Sequence, residues 1–253
     1  MLSVVIPACN EERRLPGTLD KLKEYLARRP GGYEIVVVDD GSSDGTAAAA
    51  EKYGCRVLRH PCNLGKGAAV KTGALASKGG VVLVTDADLA APVTELPKLE
   101  AALEKGADIA IGSREAPGAV VKRASSRRKL AGRVFNFLVR SMTGLPYRDT
   151  QCGFKLFTRE AADTLFAIAG CGGYAFDVEV LLLAREMGFK VEEVGVAWRD
   201  VPGSKVRLLR DSWRMSRELW AIRRSICLAK AGISAPAGSF SPVLSPGTCR
   251  RGA

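Results

Sequence analysis

The first half of the chain alternates short apolar segments with segments of helical spacing, and this alternation constrains the fold more than any other feature. Strands are predicted over residues 2–6, 33–38, 55–59, 80–85 and 107–112. Helices are predicted between them, over residues 15–28, about 46–53, 66–77 and 94–104. Continuous apolar strands separated by helices are typical of a mostly parallel sheet covered by helices on both faces, so we predict an α/β fold of that kind.

The pattern changes after residue 114. A stretch rich in Gly, Pro, Lys, Arg and Ser at 117–128 precedes a basic, apolar helix predicted at about 129–142. The elements predicted next are strands near 152–157 and 189–197 and helices near 159–167 and 176–187. A basic amphipathic helix is predicted at 206–230, and residues 234–253, rich in Pro, Gly and Ser, are predicted to be a disordered tail.

Composition narrows the chemistry that the chain can perform. Of 253 residues, 38 are Lys or Arg, 27 are Asp or Glu, and His60 is the only histidine. One histidine excludes a multi-histidine metal site and leaves Ser-His-Asp catalysis only through His60, so catalysis is expected to rest on carboxylates, lysines or arginines. No apolar run approaches the roughly 18 to 20 residues that cross a bilayer, and we therefore expect no membrane-spanning segment.

The positive charge is concentrated in two windows. Residues 120–140 contain seven Lys or Arg and no acid, and residues 206–230 contain seven Lys or Arg and two acids. Such a surface can face lipid headgroups, nucleic acid or phosphorylated ligands, and the lack of a recognised nucleic-acid-binding module argues against nucleic acid. Seven cysteines without a CxxC pair, and an N-terminus without a secretory signal, predict a reduced cytoplasmic protein.

Acidic residues follow two of the predicted strands. Asp86 and Asp88 come directly after strand 80–85, and a second acidic loop, 39–45, follows strand 33–38. Two carboxylates one residue apart can bind one divalent cation that bridges a diphosphate, although a charged loop explains them equally well on spacing alone. A turn with a helix cap accounts for part of the second loop, but its three acids exceed what a turn requires. The loop at 7–12 belongs to the same predicted edge, where ligands bind in parallel sheets.

A single lysine lies between two glycines in the loop Asn63-Leu64-Gly65-Lys66-Gly67. This segment lacks the first glycine and the final Ser or Thr of a triphosphate-binding loop, so a nucleoside triphosphatase is rejected. The loop remains compatible with a lysine close to a bound ligand.

Several motifs now resemble a known family. The first half of the chain contains four of them. They are Val-Ile-Pro-Ala-Cys-Asn-Glu, which ends at Glu11; Val-Val-Val-Asp-Asp-Gly-Ser, which contains Asp40; Thr-Asp-Ala-Asp, which ends at Asp88; and Ile-Gly-Ser-Arg, which ends at Arg114. This set resembles family 2 glycosyltransferases with the GT-A fold. Segments 148–160, 176–179 and 198–205 resemble the dolichyl-phosphate β-glucosyltransferases of that family. The resemblance spans about residues 2–225 and implies inverting transfer of a hexose, glucose from UDP-glucose, to a polyprenyl phosphate such as dolichyl or undecaprenyl phosphate.

The resemblance also implies roles for single residues. The nucleotide-sugar-binding residues would be Pro7, Glu11, Val38, Asp40, Asp86, Ala87, Asp88, Arg114, Arg199 and Lys205. Asp86 and Asp88 would hold a divalent metal, Mg²⁺ or Mn²⁺. Asp88, Arg114 and Asp177 are predicted to be catalytic; Asp177, or Glu179 beside it, would orient sugar hydroxyls or the acceptor, and an acidic first helical turn explains both equally well.

The expected organisation follows from these assignments. Residues 1–205 would form the GT-A catalytic domain, divided into a nucleotide-sugar half at 1–114 and an acceptor half at 115–205. The two basic helices would lie in the headgroup region, so we expect peripheral attachment to the cytoplasmic face of a membrane and no nucleic-acid partner. The alternative is that their apolar faces pack on the catalytic domain.

Other functions remain open from the sequence. The mannosyl-transferring relatives carry Gln where this chain has Ala90, which argues against mannose without excluding it. A family 2 enzyme acting on a soluble glycan or protein is a further alternative. A sugar nucleotidyltransferase would need a glycine-rich loop after strand 2–6, which is absent, and a membrane-binding module without activity is the non-enzymatic alternative.

Overall fold

A computed structural model describes residues 1–122, 136, 137, 139–201, 218–220 and 222. The strands are β1 (Leu2–Ala8), β2 (Tyr33–Asp39), β3 (Arg56–Arg59), β4 (Val81–Thr85), β5 (Ile109–Ser113), β6 (Val120–Lys122), β7 (Phe154–Thr158), β8 (Val191–Gly195) and β9 (Ala197–Arg199). The helices are α1 (Leu15–Leu26), α2 (Thr46–Lys52), α3 (Lys66–Ala76), α4 (Leu96–Glu104), α5 (Arg159–Ile168) and α6 (Phe176–Glu186), with a 3₁₀ turn at Val93–Glu95. The described residues of 139–143 are also helical.

Seven strands form one sheet in the order β3-β2-β1-β4-β7-β5-β8. Every neighbouring pair is parallel except those made by β7, which runs antiparallel to both β4 and β5. The carboxyl ends of β1, β2, β4 and β5 therefore lie at one edge of the sheet. This confirms the predicted mostly parallel sheet and brings the loops that follow these strands together.

Two apolar layers cover the sheet. On one face, α1 and α4 bury leucines against β1, β4 and β7, with Leu15, Leu19, Leu22 and Leu26 of α1 completely inaccessible. On the other face, α3, α5 and α6 pack on the same strands through residues such as Val70, Leu165 and Leu181. Helices therefore cover both faces, as the alternating pattern predicts, and the leucine spacing in α1 matches its buried stripe.

The predicted strand at 189–197 is in fact two strands, and this prediction was wrong. β8 joins the main sheet beside β5, whereas β9 pairs in parallel with β6 in a separate two-stranded sheet. The chain leaves the main sheet at Gly195, where a side chain would overlap the carbonyl oxygen of Pro117. β6 itself lies in the stretch at 117–128 that is rich in Gly, Pro, Lys, Arg and Ser, for which no strand was predicted.

Most of the two basic segments and the whole tail at 234–253 lie outside the described residues. Where they are described, Val139, Leu219 and Ile222 are buried in the same apolar layer as α5 and α6, while Trp220 is 61% exposed. Packing against the domain therefore accounts for part of each segment. Within the described chain, none of the helices has the length and apolar character needed to span a bilayer.

The tight contact between α3 and the sheet generates the first prediction. A β-carbon at Gly73 would overlap Val5 Cγ1 and approach Val38 Cγ2 to 2.9 Å. We expect Gly73→Ala to destabilise the protein by about 1–3 kcal/mol, because overpacking outweighs the gain of about 1 kcal/mol in helix propensity. The matched control is Gly17→Ala in α1, where a β-carbon meets nothing within 4 Å.

Urea unfolding followed by circular dichroism measures both variants. The free energy of unfolding of Gly17→Ala should equal or exceed that of the wild type. Equal stability of the two variants would show that α3 does not depend on this close approach.

Candidate active site

The turn after β4 fixes Asp86 and Asp88 at the carboxyl edge of the sheet. The Asp86 amide donates to the carbonyl oxygen of Gly153 at 3.2 Å, the Leu89 amide donates to the Asp86 carbonyl at 3.1 Å, and the Ala90 amide donates to Asp88 Oδ1 at 3.0 Å. A β-carbon at Gly153 would overlap Asp86 Oδ2, so the glycine makes room for this carboxylate. The structure thus holds the two predicted metal ligands in one rigid turn.

The charges around this turn are strongly coupled. Burial, and next the charge of Asp86, raise the pKa of Asp88 above its ordinary value. Lys66, the first residue of α3, places Nζ 2.6 Å from Asp86 Oδ1. Burial acts to lower the pKa of Lys66, but the Asp86 and Asp177 carboxylates outweigh it and raise that pKa well above its ordinary value. Lys66 therefore contacts Asp86 directly and also interacts electrostatically with Asp177.

The turn after β4 provides two carboxylates, those of Asp86 and Asp88, as possible ligands for a cation. In the described part of the chain, no three His, Cys, Asp or Glu side chains form a cluster able to hold a metal. Asp86 and Asp88 would be the protein residues that hold a hard divalent cation here, since carboxylate oxygens are ligands that such a cation prefers. The donor set fits a divalent cation that binds together with a diphosphate.

Asp40 lies at the same edge but points into the protein. Its carboxylate accepts hydrogen bonds from the amides of Leu64 (2.8 Å) and Gly65 (2.9 Å), and lies 2.7 Å from His60 Nδ1. The other ring nitrogen of His60 lies 3.0 Å from Thr72 Oγ1. Asp40 therefore holds the loop that leads into α3, a partnership that its position in the sequence did not indicate.

The first two edge loops are bonded to each other. Asn10 Oδ1 accepts from the Ser43 amide at 2.8 Å, and the Glu11 amide donates to Thr46 Oγ1 at 2.7 Å. At the start of α2, Asp44 Oδ1 accepts the Thr46 amide at 3.0 Å, so Asp44 binds a free amide at the helix start that was predicted in this loop. These loops form one surface rather than independent turns.

The residues predicted to bind the nucleotide sugar differ in how far their side chains are accessible to a ligand. Pro7 pairs with Val38 in the register of β1 and β2, and the Val38 side chain is completely buried against α3. Glu11 Oε2 lies 3.1 Å from Arg14 Nη1. Ala87 is buried, and its carbonyl accepts from Thr18 Oγ1 at 2.7 Å. Any contact of Val38 or Ala87 with a ligand would thus involve mainly the backbone.

Arg114, at the end of β5, is held by Asp149. Its Nε and Nη2 donate to the two carboxylate oxygens of Asp149 at 2.6 and 2.7 Å, and the guanidinium lies 5.4 Å from the centre of the Trp198 ring. Asp149 is fully buried; burial acts to raise its pKa, but Arg114 outweighs burial and lowers it. These bonds occupy two of the five guanidinium N–H groups, so Arg114 is oriented but retains donors for phosphate.

A second buried ion pair lies behind Asp86. Lys155 of β7 and Asp177 of α6 are 3% and 5% exposed, and Lys155 Nζ lies 2.5 Å from Asp177 Oδ1 and 2.6 Å from the Cys152 carbonyl oxygen. Glu179 instead accepts the amides of Gly170 and Cys171, so it holds a loop rather than facing Lys66. Sequence reasoning missed Lys155, although a lysine inside an apolar strand signals a buried partner.

A cleft of about 350 Å³ opens beside Asp88. It is lined by Arg14, Gly17, Thr18, Lys21, Asp88, Arg199, Asp200 and Val201. Arg199 reaches this cleft because its amide donates to the Ala90 carbonyl at 2.9 Å, which ties β9 to the turn after β4. The structure thus brings Arg199 to the predicted metal ligands, while Lys205 lies outside the described residues.

Known proteins are similar to this chain in sequence over most of its length. A family model described as Glycosyl transferase family 2 matches residues 3–166. The dolichyl-phosphate beta-glucosyltransferase of Drosophila melanogaster is 40% identical over 240 residues, which cover 87% of this chain and 74% of the relative. The enzyme of the same name from Homo sapiens is 39% identical over 241 residues, covering 88% and 74%.

Solved structures share the fold at lower identity. Glucosyl-3-phosphoglycerate synthase from Mycobacterium tuberculosis, in complex with Mn²⁺, UDP and glucosyl-3-phosphoglycerate, superposes with a TM-score of 0.67 at 23% identity and covers 93% of this chain and 81% of that one. Mannosyl-3-phosphoglycerate synthase from Rubrobacter xylanophilus gives 0.67 at 19% identity, covering 96% and 78%. These likenesses confirm the predicted GT-A fold. Together with the sequence matches, they show that the chain belongs to glycosyl transferase family 2, in which it is related to the dolichyl-phosphate beta-glucosyltransferases.

Proposed function

We propose that this protein transfers glucose from UDP-glucose to the phosphate of a polyprenyl phosphate, with inversion at the anomeric carbon. The observation that carries the proposal is the 36–40% identity, over most of the chain, to dolichyl-phosphate beta-glucosyltransferases of four organisms. The edge of the sheet supports it, since the turn that carries Asp86 and Asp88 lies there and Arg199 lines the cleft beside Asp88, which places acidic and basic groups where a nucleoside diphosphate could bind.

The donor would bind along the loops after β1, β2 and β4. Pro7, Glu11, Val38 and Asp40 would form the nucleoside side, with Asp40 acting chiefly by holding the loop at 60–65. Asp86 and Asp88 would hold a divalent cation, Mg²⁺ or Mn²⁺, and the Mycobacterium tuberculosis neighbour was crystallised with Mn²⁺ and UDP. Such a cation stabilises the charge that develops on the departing diphosphate. Arg199 and Lys205 would add positive charge on the same phosphates.

The reaction itself needs no strong base. A phosphate monoester is already anionic near neutral pH, so its oxygen can attack the anomeric carbon while the bond from that carbon to the diphosphate oxygen breaks and UDP leaves. This fits a site built from carboxylates, lysines and arginines in a chain with a single, partly buried histidine. Arg114, oriented by Asp149, would help to bring the two phosphate-bearing substrates together against their mutual repulsion.

Asp177 would orient the sugar or the acceptor phosphate from below the metal turn. It is 5% exposed, contacts the buried Lys155, and also interacts electrostatically with Lys66. A carboxylate fixed in this way is already oriented, so its side chain loses little conformational entropy when substrate binds. Lys155 would act through Asp177 as a positioning residue.

The acceptor is expected to come from a membrane surface. Phe137 and Trp220 are 69% and 61% exposed, and each lies near a buried apolar residue of the two basic segments, Val139 and Leu219. Exposed apolar side chains in sequence segments rich in Lys and Arg are typical of proteins that bind the headgroup region. We propose peripheral binding to the cytoplasmic face of the membrane as the setting of the reaction.

A donor and acceptor panel tests the proposed reaction. The full chain is incubated with Mg²⁺ or Mn²⁺, UDP-glucose or GDP-mannose, and a polyprenyl phosphate, a soluble glycan or no acceptor. We expect UDP release and polyprenyl-phosphate glucose only with UDP-glucose and the prenyl phosphate. A mannosylated lipid or a glucosylated soluble glycan would replace the proposal with that activity.

Removal of one metal ligand tests the assignment of Asp88. Asp88→Asn should lower kcat/KM by about 100-fold or more, because the departing diphosphate loses a group that holds its cation. Asp163→Asn on α5 is the matched control, since that carboxylate is exposed and pairs only with Arg159 in the described structure. Initial rates and circular dichroism are measured on both. Retention of most activity by a folded Asp88→Asn protein would disprove the assignment.

The buried Lys155–Asp177 pair gives a further prediction. Asp177→Asn should lose about 3–5 kcal/mol of stability, because it leaves the buried Lys155 ammonium unpaired, and it should also lose turnover. The double variant Lys155→Met with Asp177→Leu should regain most of the stability, since apolar groups replace both charges. Activity of the double variant distinguishes the roles. We expect it to stay lost, and recovery of activity with stability would make the pair purely structural.

A further inference from the structure

The Gly65-Lys66-Gly67 segment holds its lysine unusually firmly. Gly65 has φ of +99°, and a β-carbon on it would overlap the carbonyl oxygen of Gly172; a β-carbon on Gly67 would overlap that of Cys171. The Gly67 amide donates to the Gly172 oxygen at 2.8 Å, and the Gly65 amide donates to Asp40. The backbone of Lys66 is thus fixed on both sides, by contacts that only glycine permits.

The position of Lys66 is unfavourable for helix stability. It is the first residue of α3, where the helix dipole disfavours a cation. The compensation comes from outside the helix, since Nζ lies 2.6 Å from Asp86 Oδ1, and the ammonium lies 5.9 Å from the centre of the Phe176 ring. A lysine held in this way stabilises the charge of the carboxylate that it contacts and does not stabilise its own helix.

Lys66 and a divalent cation would compete for the same carboxylate. Its ammonium contacts Asp86 Oδ1, one of the few oxygens that the turn after β4 offers to a cation. The Lys66 side chain is 21% exposed and that of Asp86 is 35% exposed, so solvent screens the repulsion between two cations there only in part. Without another anion nearby, the ammonium and the divalent cation therefore oppose each other.

We infer that Lys66 is a resident counter-ion that keeps a divalent cation from binding at Asp86 until a nucleoside diphosphate arrives. The diphosphate gives the ammonium a new anionic partner and gives the cation further oxygen ligands. Binding of the cation and of the nucleotide are thereby coupled through one flexible side chain on a fixed backbone. The inference rests on the proposed cation site at Asp86 and Asp88.

Manganese binding to the full chain tests this inference without any measurement of turnover. Free Mn²⁺ is measured by electron paramagnetic resonance, with and without UDP, for the wild type and for Lys66→Met. We expect Lys66→Met to bind Mn²⁺ alone about tenfold more tightly than the wild type, and the strengthening by UDP to shrink by the same factor. Lys66→Gln, which keeps a hydrogen-bond donor but not the charge, should behave like Lys66→Met and replaces it if that variant does not fold.

Two control variants separate this effect from a general change in charge. Lys52→Met removes one positive charge from the exposed end of α2 and should bind Mn²⁺ like the wild type. Lys66→Arg retains the charge and should keep Mn²⁺ binding weak in the absence of UDP. A folded Lys66→Met or Lys66→Gln protein whose affinity for Mn²⁺ alone is unchanged or lower overturns the role of Lys66. Failure of the wild type to bind Mn²⁺ even with UDP overturns the underlying cation site instead.

Discussion

Carboxylates crowd one edge of the sheet in this protein, and their mutual repulsion is balanced by cations that come from distant parts of the sequence. Lys66 at the start of α3 faces Asp86, Lys155 of β7 faces Asp177, and Arg114 after β5 faces Asp149. Each pair is buried or half-buried, where loss of one partner costs far more than at the surface. These ion pairs therefore affect the stability of the folded protein as well as the charge of the site.

Strand β7 connects the two parts of this arrangement. It lies antiparallel between β4 and β5, so residues from the second half of the chain enter the sheet beside the first half. Gly153, which precedes β7, leaves room for Asp86, and Lys155 on β7 holds Asp177. The two segments share one sheet, so they are not separate structural units. Their predicted division into a nucleotide-sugar half and an acceptor half remains a prediction about function.

Much of the fold is readable from the sequence, because strand and helix periods differ and the apolar runs are long. The two-stranded sheet of β6 and β9 is not readable, because each strand has three residues and the break depends on the packing of Gly195 against Pro117. The positions of Asp86 and Asp88 follow from their place after β4. The partners of Asp40 do not, since they depend on how the 60–65 loop folds back. A lysine at position 155 in an apolar strand indicates a buried partner, but the sequence does not show that this partner is Asp177.

We propose that Asp86 and Asp88 hold a divalent cation on the diphosphate of a nucleotide at the edge of the sheet. A crystal structure with UDP and Mn²⁺, with the cation located by its anomalous scattering, tests it most directly. We expect one anomalous peak within bonding distance of carboxylate oxygens of both residues and of the diphosphate, with the Lys66 ammonium turned toward the phosphates. A cation bound away from both carboxylates, or UDP bound at another surface, would contradict it.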